Sequence, residues 1–338
     1  TGEGPPLLAI RRDDIDRSQG AEAIRRRILD FARPLIAEFR PEAIGIAFGG
    51  PIEAQTGRTL RSHHVTGWEN FPLVEWCRSE LGLPAVMGND ADLAGWAEAE
   101  FGAGKGHRAV FYITVGTGIG GALIYEGRIY TGAHGIASEI GHLRPGLDAV
   151  SPQQDLESVA AGWGITARAQ ALLDFAVKGR DQAIPVDDLI RQCLFNWGVP
   201  GDDSAVSYEE FTQAIDDILS RCDYDLRRLT TKRLGEALTD GNIVAQWVFD
   251  RALCALGWAI AQMLTLLAPS AVVIGGGVSL LGEKFFFEPL REQVDRYVFP
   301  ALRERYVISP AALGEEVMIH GALLLAKRTF EPTPDLMG

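Results

Sequence analysis

The sequence predicts an α/β fold in which strands alternate with crossover helices. Apolar, strand-like runs at 43–48 and 84–88 flank an amphipathic stretch at 71–81, and this strand–helix–strand order is typical of a parallel sheet. Two apolar runs end in adjacent glycines, AIGIAFGG and SAVVIGGG, which is compatible with two related lobes. Polar residues follow the strand at 84–88, where α/β folds usually place ligands.

The bulk properties favour a globular enzyme over a nucleic-acid or membrane protein. The 338 residues suffice for two lobes, and 47% hydrophobic with 23% charged residues is ordinary for a soluble chain. A net charge of −13 argues against nucleic acid or an anionic membrane as partner. The four cysteines are scattered without a CxxC, which favours reduced thiols in a cytoplasmic protein. The most apolar run, 252–268, is interrupted by Gln262 and Thr265 and is predicted to be a buried core helix.

Periodicity predicts the remaining elements. One strand is expected at 6–12, and helices are expected at 20–39, 93–101, 152–175, 242–267, 285–297 and 317–327. The acidic stretch 179–240, interrupted by Pro185 and Pro200, is expected to be a helical insertion. The sequence of this stretch does not indicate a function.

The most informative stretch runs from Phe111 to Leu143. A strand-like run breaks into Gly116-Thr117-Gly118-Ile119-Gly120-Gly121, and glycine at such a turn exposes backbone N–H groups to an anion because no Cβ blocks the approach. Glu139 and His142, three positions apart, can face one polar ligand. Together they suggest phosphoryl transfer to a polyol. A plain β-hairpin turn is the alternative for the glycines.

Four motifs in this order resemble the ROK family of repressors, open reading frames and sugar kinases, within the actin/hexokinase-like superfamily. They are Asn89-Asp90-Ala91, the run 116–121, Ser138-Glu139-Ile140-Gly141-His142 and Gly275-Gly276-Gly277. The resemblance covers 43–175 and 242–327. It implies a two-lobed, ribonuclease H-like α/β fold with a small lobe at 1–88 and a large lobe at 89–315. The helical insertion near 179–240 would belong to the large lobe, and a C-terminal helix at 316–330 would pack back on the small lobe.

The resemblance also implies a function, an ATP-dependent, glucokinase-like hexose kinase that uses ATP and Mg²⁺ and forms a homodimer. Asp90 would be the general base that accepts the proton of the sugar hydroxyl. Asn89, Glu139, His142 and Glu157 would bind the sugar, and the nucleotide would contact Gly116, Thr117, Gly118, Gly275, Gly276 and Gly277. The alternatives are a helix cap for Asp90 and turn roles for Asn89 and for Gly275 to Gly277.

Two departures from the family pattern matter. The family carries CxCGxxGCxE shortly after the histidine, whereas 150–157 has no cysteine, so no structural zinc is expected; Glu157 still aligns with the final glutamate. The family's opening DxGGT loop does not occur before Pro6, so it either lies upstream or is absent. A sugar-sensing ROK transcriptional regulator and a non-catalytic sugar-binding relative therefore remain as alternatives.

Overall fold

The computed structural model describes residues 4–14, 16–60, 65–146, 151, 153–182, 188, 192 and 207–331. The chain divides into two compact units. The first contains Thr1–Tyr112, Ala122–Ser138 and Ala311–Gly338, and the second contains Ile113–Gly121 and Glu139–Pro310. The first unit thus combines 1–88 and the C-terminal helix with residues 89–112 and 122–138.

The described residues form strands and helices in the alternating order that the sequence predicts. The strands are β1 (Ile44–Phe48), β2 (Ile52–Glu53), β3 (Arg58–Thr59), β4 (Ala85–Asn89), β5 (Ala109–Val115), β6 (Ile119–Tyr125), β7 (Arg128–Ile129), β8 (Ala271–Gly275) and β9 (Val307–Pro310). The helices are α1 (Gly20–Phe39), α2 (Leu73–Leu81), α3 (Asp90–Glu100), α4 (Leu156–Ala160), α5 (Gly162–Asp181), α6 (Tyr208–Arg221), α7 (Thr231–Thr239), α8 (Ile243–Leu267), α9 (Glu288–Tyr297) and α10 (Val317–Phe330).

The first unit is built around the parallel pair of β1 and β4. Their register places Phe48 opposite Asn89, so the polar residues after β4 begin where both strands end. Helix α10 packs on β1, β4 and α3. This contact requires glycine at position 45, because a Cβ there would overlap the Ala322 carbonyl of α10.

A second sheet has five strands in the order β7-β6-β5-β8-β9. Strands β8 and β9 are parallel, while β6 and β7 are antiparallel. All five residues of β8 are buried, as expected for a parallel strand covered on both faces. The glycine run predicted from sequence connects the neighbours β5 and β6.

The helix predicted over 152–175 is interrupted at Ala161. Helix α4 ends at Ala160, Ala161 is extended, and α5 begins at Gly162. The backbone N–H of Gly162 donates to the Gly116 carbonyl at 2.8 Å, and a Cβ on Gly162 would lie 2.9 Å from that oxygen. The break therefore brings the first residue of α5 against the glycine run.

Helix α8 supplies much of the core of the second unit. Asn242 caps its N-terminus by accepting from the Ala245 N–H at 3.0 Å. The helix is long and apolar enough to cross a membrane by length and composition, but 67% of its most apolar window is buried in the protein, as in a core helix. Part of the predicted insertion packs on it, since Phe211 of α6 stacks on Trp247 at 6.0 Å between ring centroids.

The described part of 179–240 is helical, as predicted, and contains α6, a short 3₁₀ turn and α7. Residues 183–187, 189–191 and 193–206 of this stretch, including Cys193, lie outside the described residues. The other three cysteines are free thiols.

The strand predicted at 6–12 is wrong, because the segment is irregular and pairs with no strand among the described residues. Its apolar side chains do not form part of the core, since Leu8 is 81% exposed. The segment is instead attached through charge. Arg12 forms ion pairs with Glu315 and Glu316, just before α10.

A buried carboxylate in the first unit connects α3 with the segment before α10. Glu98 is fully buried, and its Oε1 accepts from the N–H groups of Ala312 and Leu313 at 2.9 and 2.8 Å. Its Oε2 accepts from the Ala103 N–H at 2.8 Å. Three backbone donors thus compensate for burying the charge.

We expect Glu98→Gln to destabilise the protein, because its amide N–H₂ would face the Ala103 N–H and leave a buried donor without an acceptor. An unsatisfied buried donor costs about 1–3 kcal/mol. Denaturant unfolding measures the loss. Glu100→Gln, on the same helix but in a partly exposed ion pair with Arg328, is the control, and equal losses in both variants would contradict the account.

Candidate active site

In the first unit, the candidate residues lie where β4 passes into α3. Asn89 is the N-cap of α3, and its Oδ1 accepts from the N–H groups of Ala91 and Asp92 at 2.9 and 3.2 Å. Its Nδ2 donates to the Gly50 carbonyl at 3.3 Å. The cap role weighed for Asp90 therefore belongs chiefly to Asn89, and Asp90 is the first residue of the helix.

Asp90 carries a largely buried carboxylate beside a glycine. Its Oδ1 accepts from the Ala91 N–H at 2.9 Å. A Cβ on Gly49 would lie 3.2 Å from its Oδ2, so the paired glycines after β1 leave room for the carboxylate. Burial raises the pKa of Asp90, and the bond from Ala91 opposes that shift. A carboxylate with a raised pKa is a stronger proton acceptor once ionised, which suits a general base.

The glycine run in the second unit is a tight connection between β5 and β6. The Gly116 N–H donates to the Gly118 carbonyl at 2.9 Å, which closes the turn. Behind it, the Val278 N–H donates to the Val115 carbonyl at 2.9 Å. Gly276 has φ +92° and lies so close that a Cβ would be 2.6 Å from the Val115 carbonyl carbon. The triglycine after β8 therefore supports the glycine run from behind.

Glu157 holds the other side of the glycine run. Its Oε2 accepts from the Ile119 N–H at 2.8 Å, and its Oε1 accepts from the indole N–H of Trp163 at 3.4 Å. A Cβ on Gly118 would lie 2.7 Å from Oε2. The glutamate predicted to bind sugar thus also contacts the backbone predicted to bind phosphate.

Glu139 precedes the short 3₁₀ turn Ile140–His142, and His142 is its last residue. The His142 N–H donates to the Glu139 carbonyl at 3.1 Å, and both side chains are exposed. His142 Nδ1 lies 3.5 Å from Oδ2 of Asp155, whose Oδ1 caps α4 through the Ser158 N–H. The histidine is therefore oriented by a carboxylate that the sequence analysis gave no role.

A cavity of about 1090 Å³ opens in the second unit beside the glycine run. Gly116, Thr117 and Gly277 line it, whereas Gly118, Gly275 and Gly276 do not. Its other walls come from the starts of α5 and α7, from α8 and from the segment after β8. They include Trp163, Thr166, Gln170, Thr230, Thr231, Lys232, Glu236, Phe249, Leu280 and Leu281. The size suits a ligand as large as a nucleotide.

Sequence reasoning missed the contribution of the insertion to this cavity. Thr231 donates to the Gly162 carbonyl at 2.7 Å, so the Thr166 hydroxyl, 2.9 Å away, must donate to Thr231. Lys232 adds a cation to the wall. In the sequence, the start of α7 was indicated locally by Thr230, a typical N-cap residue, which caps this helix by accepting from the Arg233 N–H.

The described residues contain no group of three or more His, Cys, Asp or Glu side chains placed to hold a metal ion. This concerns the described parts alone, since 147–150 and 152, within the stretch that corresponds to the family's zinc motif, are among the residues left out.

Comparison with known proteins gives concordant matches. The ROK family profile matches residues 10–329. A glucokinase of Thermotoga maritima is 27% identical over 325 residues, covering 96% of this chain and 91% of that protein. A xylose repressor of Caldicellulosiruptor bescii is 26% identical over 83% of this chain, which spans 61% of the repressor.

The crystal structure of a ROK family glucokinase from Streptomyces griseus in complex with glucose and AMPPNP superposes with a TM-score of 0.70. It is 27% identical to this chain and covers 91% of it, with 89% of that chain matched. The predicted actin/hexokinase-like α/β fold is thereby confirmed.

We expect Gly118→Ala to disturb the glycine run and Gly116→Ala to spare it. A Cβ at 118 would displace the Glu157 carboxylate from the Ile119 N–H, whereas a Cβ at 116 meets no atom within 4 Å. Hydrogen exchange of the Ile119 amide is the measurement, and it should accelerate in Gly118→Ala alone. Equal exchange in the two variants would show that Glu157 does not hold this amide.

Asp90→Asn should stabilise the protein at neutral pH. The folded-state pKa of Asp90 lies above the unfolded value of about 3.9, so folding is favoured below that value and this contribution is lost as pH rises through the raised pKa. Removing the ionisable group removes that loss. The melting temperatures of the wild type and the variant should therefore separate as pH rises above the unfolded-state value of about 3.9, and a difference that does not depend on pH would contradict the burial effect.

Proposed function

The chain belongs to the ROK family, and on that premise we propose that it is an ATP-dependent hexose kinase of the glucokinase type. It transfers the γ-phosphoryl group of ATP to a hydroxyl of a hexose. The observation that carries the proposal is the glycine run at the edge of a nucleotide-sized cavity, in a chain that matches a glucokinase over 91% of that protein's length.

The nucleotide occupies the cavity of the second unit. Gly116 and Thr117 present backbone and hydroxyl groups to its phosphates, and Lys232 supplies a charge of the opposite sign. Gly277 lines the cavity without a side chain, and a Cβ there would meet no atom within 4 Å, so that side has room for the nucleoside.

Mg²⁺ arrives with the nucleotide as the Mg–ATP complex. Mg²⁺ bound with a nucleotide is usually held by phosphate oxygens and water together with one or two carboxylates.

Asp90 accepts the proton of the attacking sugar hydroxyl. As the new bond forms between the sugar oxygen and the γ-phosphorus, the bond from phosphorus to the bridging oxygen breaks and ADP leaves. The raised pKa of Asp90 favours this acceptor role. Asn89 uses its Oδ1 for the cap and one N–H for Gly50, and its second N–H is free to donate to a sugar hydroxyl.

Glu139, His142 and Glu157 are the sugar-binding residues of the second unit. A carboxylate accepts from sugar hydroxyls, and His142, whose Nδ1 lies 3.5 Å from Oδ2 of Asp155, can use its Nε2 to accept from or donate to a hydroxyl. We place the enzyme in the cytoplasm as a homodimer without a nucleic-acid or membrane partner. The scattered thiols support the location, and the net charge of −13 argues against those partners. The homodimer is proposed because dimers are common in the family.

A sugar-sensing regulator is the second candidate, because the chain also matches a xylose repressor. Both functions require a sugar site. They differ in the need for a catalytic base and a phosphate donor, so turnover separates them.

A coupled assay of ADP release with Mg–ATP and a panel of hexoses tests the proposal. We expect sugar-dependent release by the wild-type protein and a fall of about 10²- to 10⁴-fold in Asp90→Ala, with sugar binding retained. Asp30→Asn, an exposed change on α1, is the control. Sugar binding without ADP release would favour the regulator. Full turnover by Asp90→Ala would refute the assignment of Asp90 as the general base.

A further inference from the structure

Glu157 and Trp163 form a link between two surfaces of the second unit. The Glu157 carboxylate binds the Ile119 N–H within the glycine run, at 2.8 Å. The Trp163 indole donates to the other oxygen of the same carboxylate at 3.4 Å. Trp163 itself lines the cavity, and its backbone N–H lies 3.5 Å from the Thr117 carbonyl. One carboxylate therefore affects both the phosphate-facing backbone and an aromatic wall of the cavity.

The two bonds of this carboxylate differ in strength. The bond from Ile119 has the usual length of an N–H···O contact, whereas 3.4 Å is long for the indole bond. Trp163 is 47% exposed, so its ring is not locked by packing. A hydroxyl that donates to Oε1 would form an O–H···O⁻ bond of about 2.5–2.7 Å, which is stronger than the indole bond and competes with it for that oxygen.

We propose that Trp163 is a positioning residue that couples occupancy of the Glu157 carboxylate by a sugar hydroxyl to nucleotide binding in the cavity. The coupling rests on the proposed function, in which Glu157 accepts from the sugar. A hydroxyl on Oε1 displaces the indole N–H and releases the ring, while the bond from Ile119 to Oε2 persists and keeps the glycine run in place. The freed ring then packs on the nucleotide. The hexose thus prepares the cavity for its second substrate.

The affinity for AMPPNP, with Mg²⁺ and with or without saturating glucose, measures this coupling. We expect glucose to tighten AMPPNP binding by a factor within about 5–150, the usual range for coupled sites. Linkage requires AMPPNP to tighten glucose binding by the same factor, which provides an internal check. Isothermal titration calorimetry measures both without turnover.

Trp163→Phe isolates the indole N–H, because phenylalanine keeps an aromatic ring but cannot donate to Glu157. We expect this variant to bind AMPPNP without glucose about as tightly as the wild type does with glucose, so that its coupling factor falls close to one. Trp96→Phe is the matched control. It removes a comparable indole bond, to the Gly127 carbonyl at 2.9 Å, outside the second unit.

The outcomes distinguish this inference from the kinase proposal. Equal AMPPNP affinity with and without glucose in the wild type overturns the coupling, and so does an unchanged coupling factor in Trp163→Phe. A Trp163→Phe protein that binds AMPPNP more weakly in both conditions shows a purely structural role and also overturns it. Failure of the kinase proposal has a separate signature, since no hexose would then support ADP release even where glucose shifts the AMPPNP affinity.

Discussion

The position of the glycine run depends on the hydrogen bond from the Ile119 N–H to Glu157. Glycines alone cannot specify one conformation, because they lack the side-chain contacts that would select it and lose much entropy on ordering. The run is therefore held from outside. Glu157 binds Ile119 within it, Gly162 donates to its first residue, Gly116, and Val278 donates to Val115, the residue that precedes it. These attachments come from α4, α5 and the segment after β8.

The interruption between α4 and α5 follows from the same constraint. A continuous helix would direct the Gly162 N–H along its own axis, toward the carbonyl four residues earlier, and not toward Gly116. Extended backbone at Ala161 frees that N–H, and Thr231 satisfies the Gly162 carbonyl. The cost of interrupting a helix is thus offset by bonds that fix a backbone surface suited to anions. Asp90, in the first unit, shows a similar compromise, because its burial disfavours the charged state that a general base requires.

Much of the fold was predictable from sequence because the periodic and capped segments are long. Helix α1 has the predicted bounds of 20–39, and α8, predicted over 242–267, spans Ile243–Leu267. The strand at 6–12 was not correctly predicted, because an apolar run reveals nothing about whether a partner strand or burial is available. The helix break at Ala161 escaped detection for a related reason: it is caused by Gly116, which is distant in sequence.

The candidate site residues were predictable where they lie in contiguous sequence motifs. Gly116, Thr117 and Gly277 line one cavity, as a shared nucleotide role requires. The roles of Trp163, Thr231 and Lys232 were not predictable, since each depends on the tertiary placement of the starts of α5 and α7. The contact of Asp155 with His142 likewise arises only when α4 folds against the turn at 140–142.

The most direct test of the account follows the phosphoryl group itself. The protein is incubated with ATP labelled in its γ-phosphate and with glucose, and the products are separated and identified by mass spectrometry. The account predicts that the label appears in a hexose monophosphate, in amounts equal to the ADP formed. Label recovered only as inorganic phosphate, or remaining entirely in ATP, would contradict the assignment of a hexose kinase.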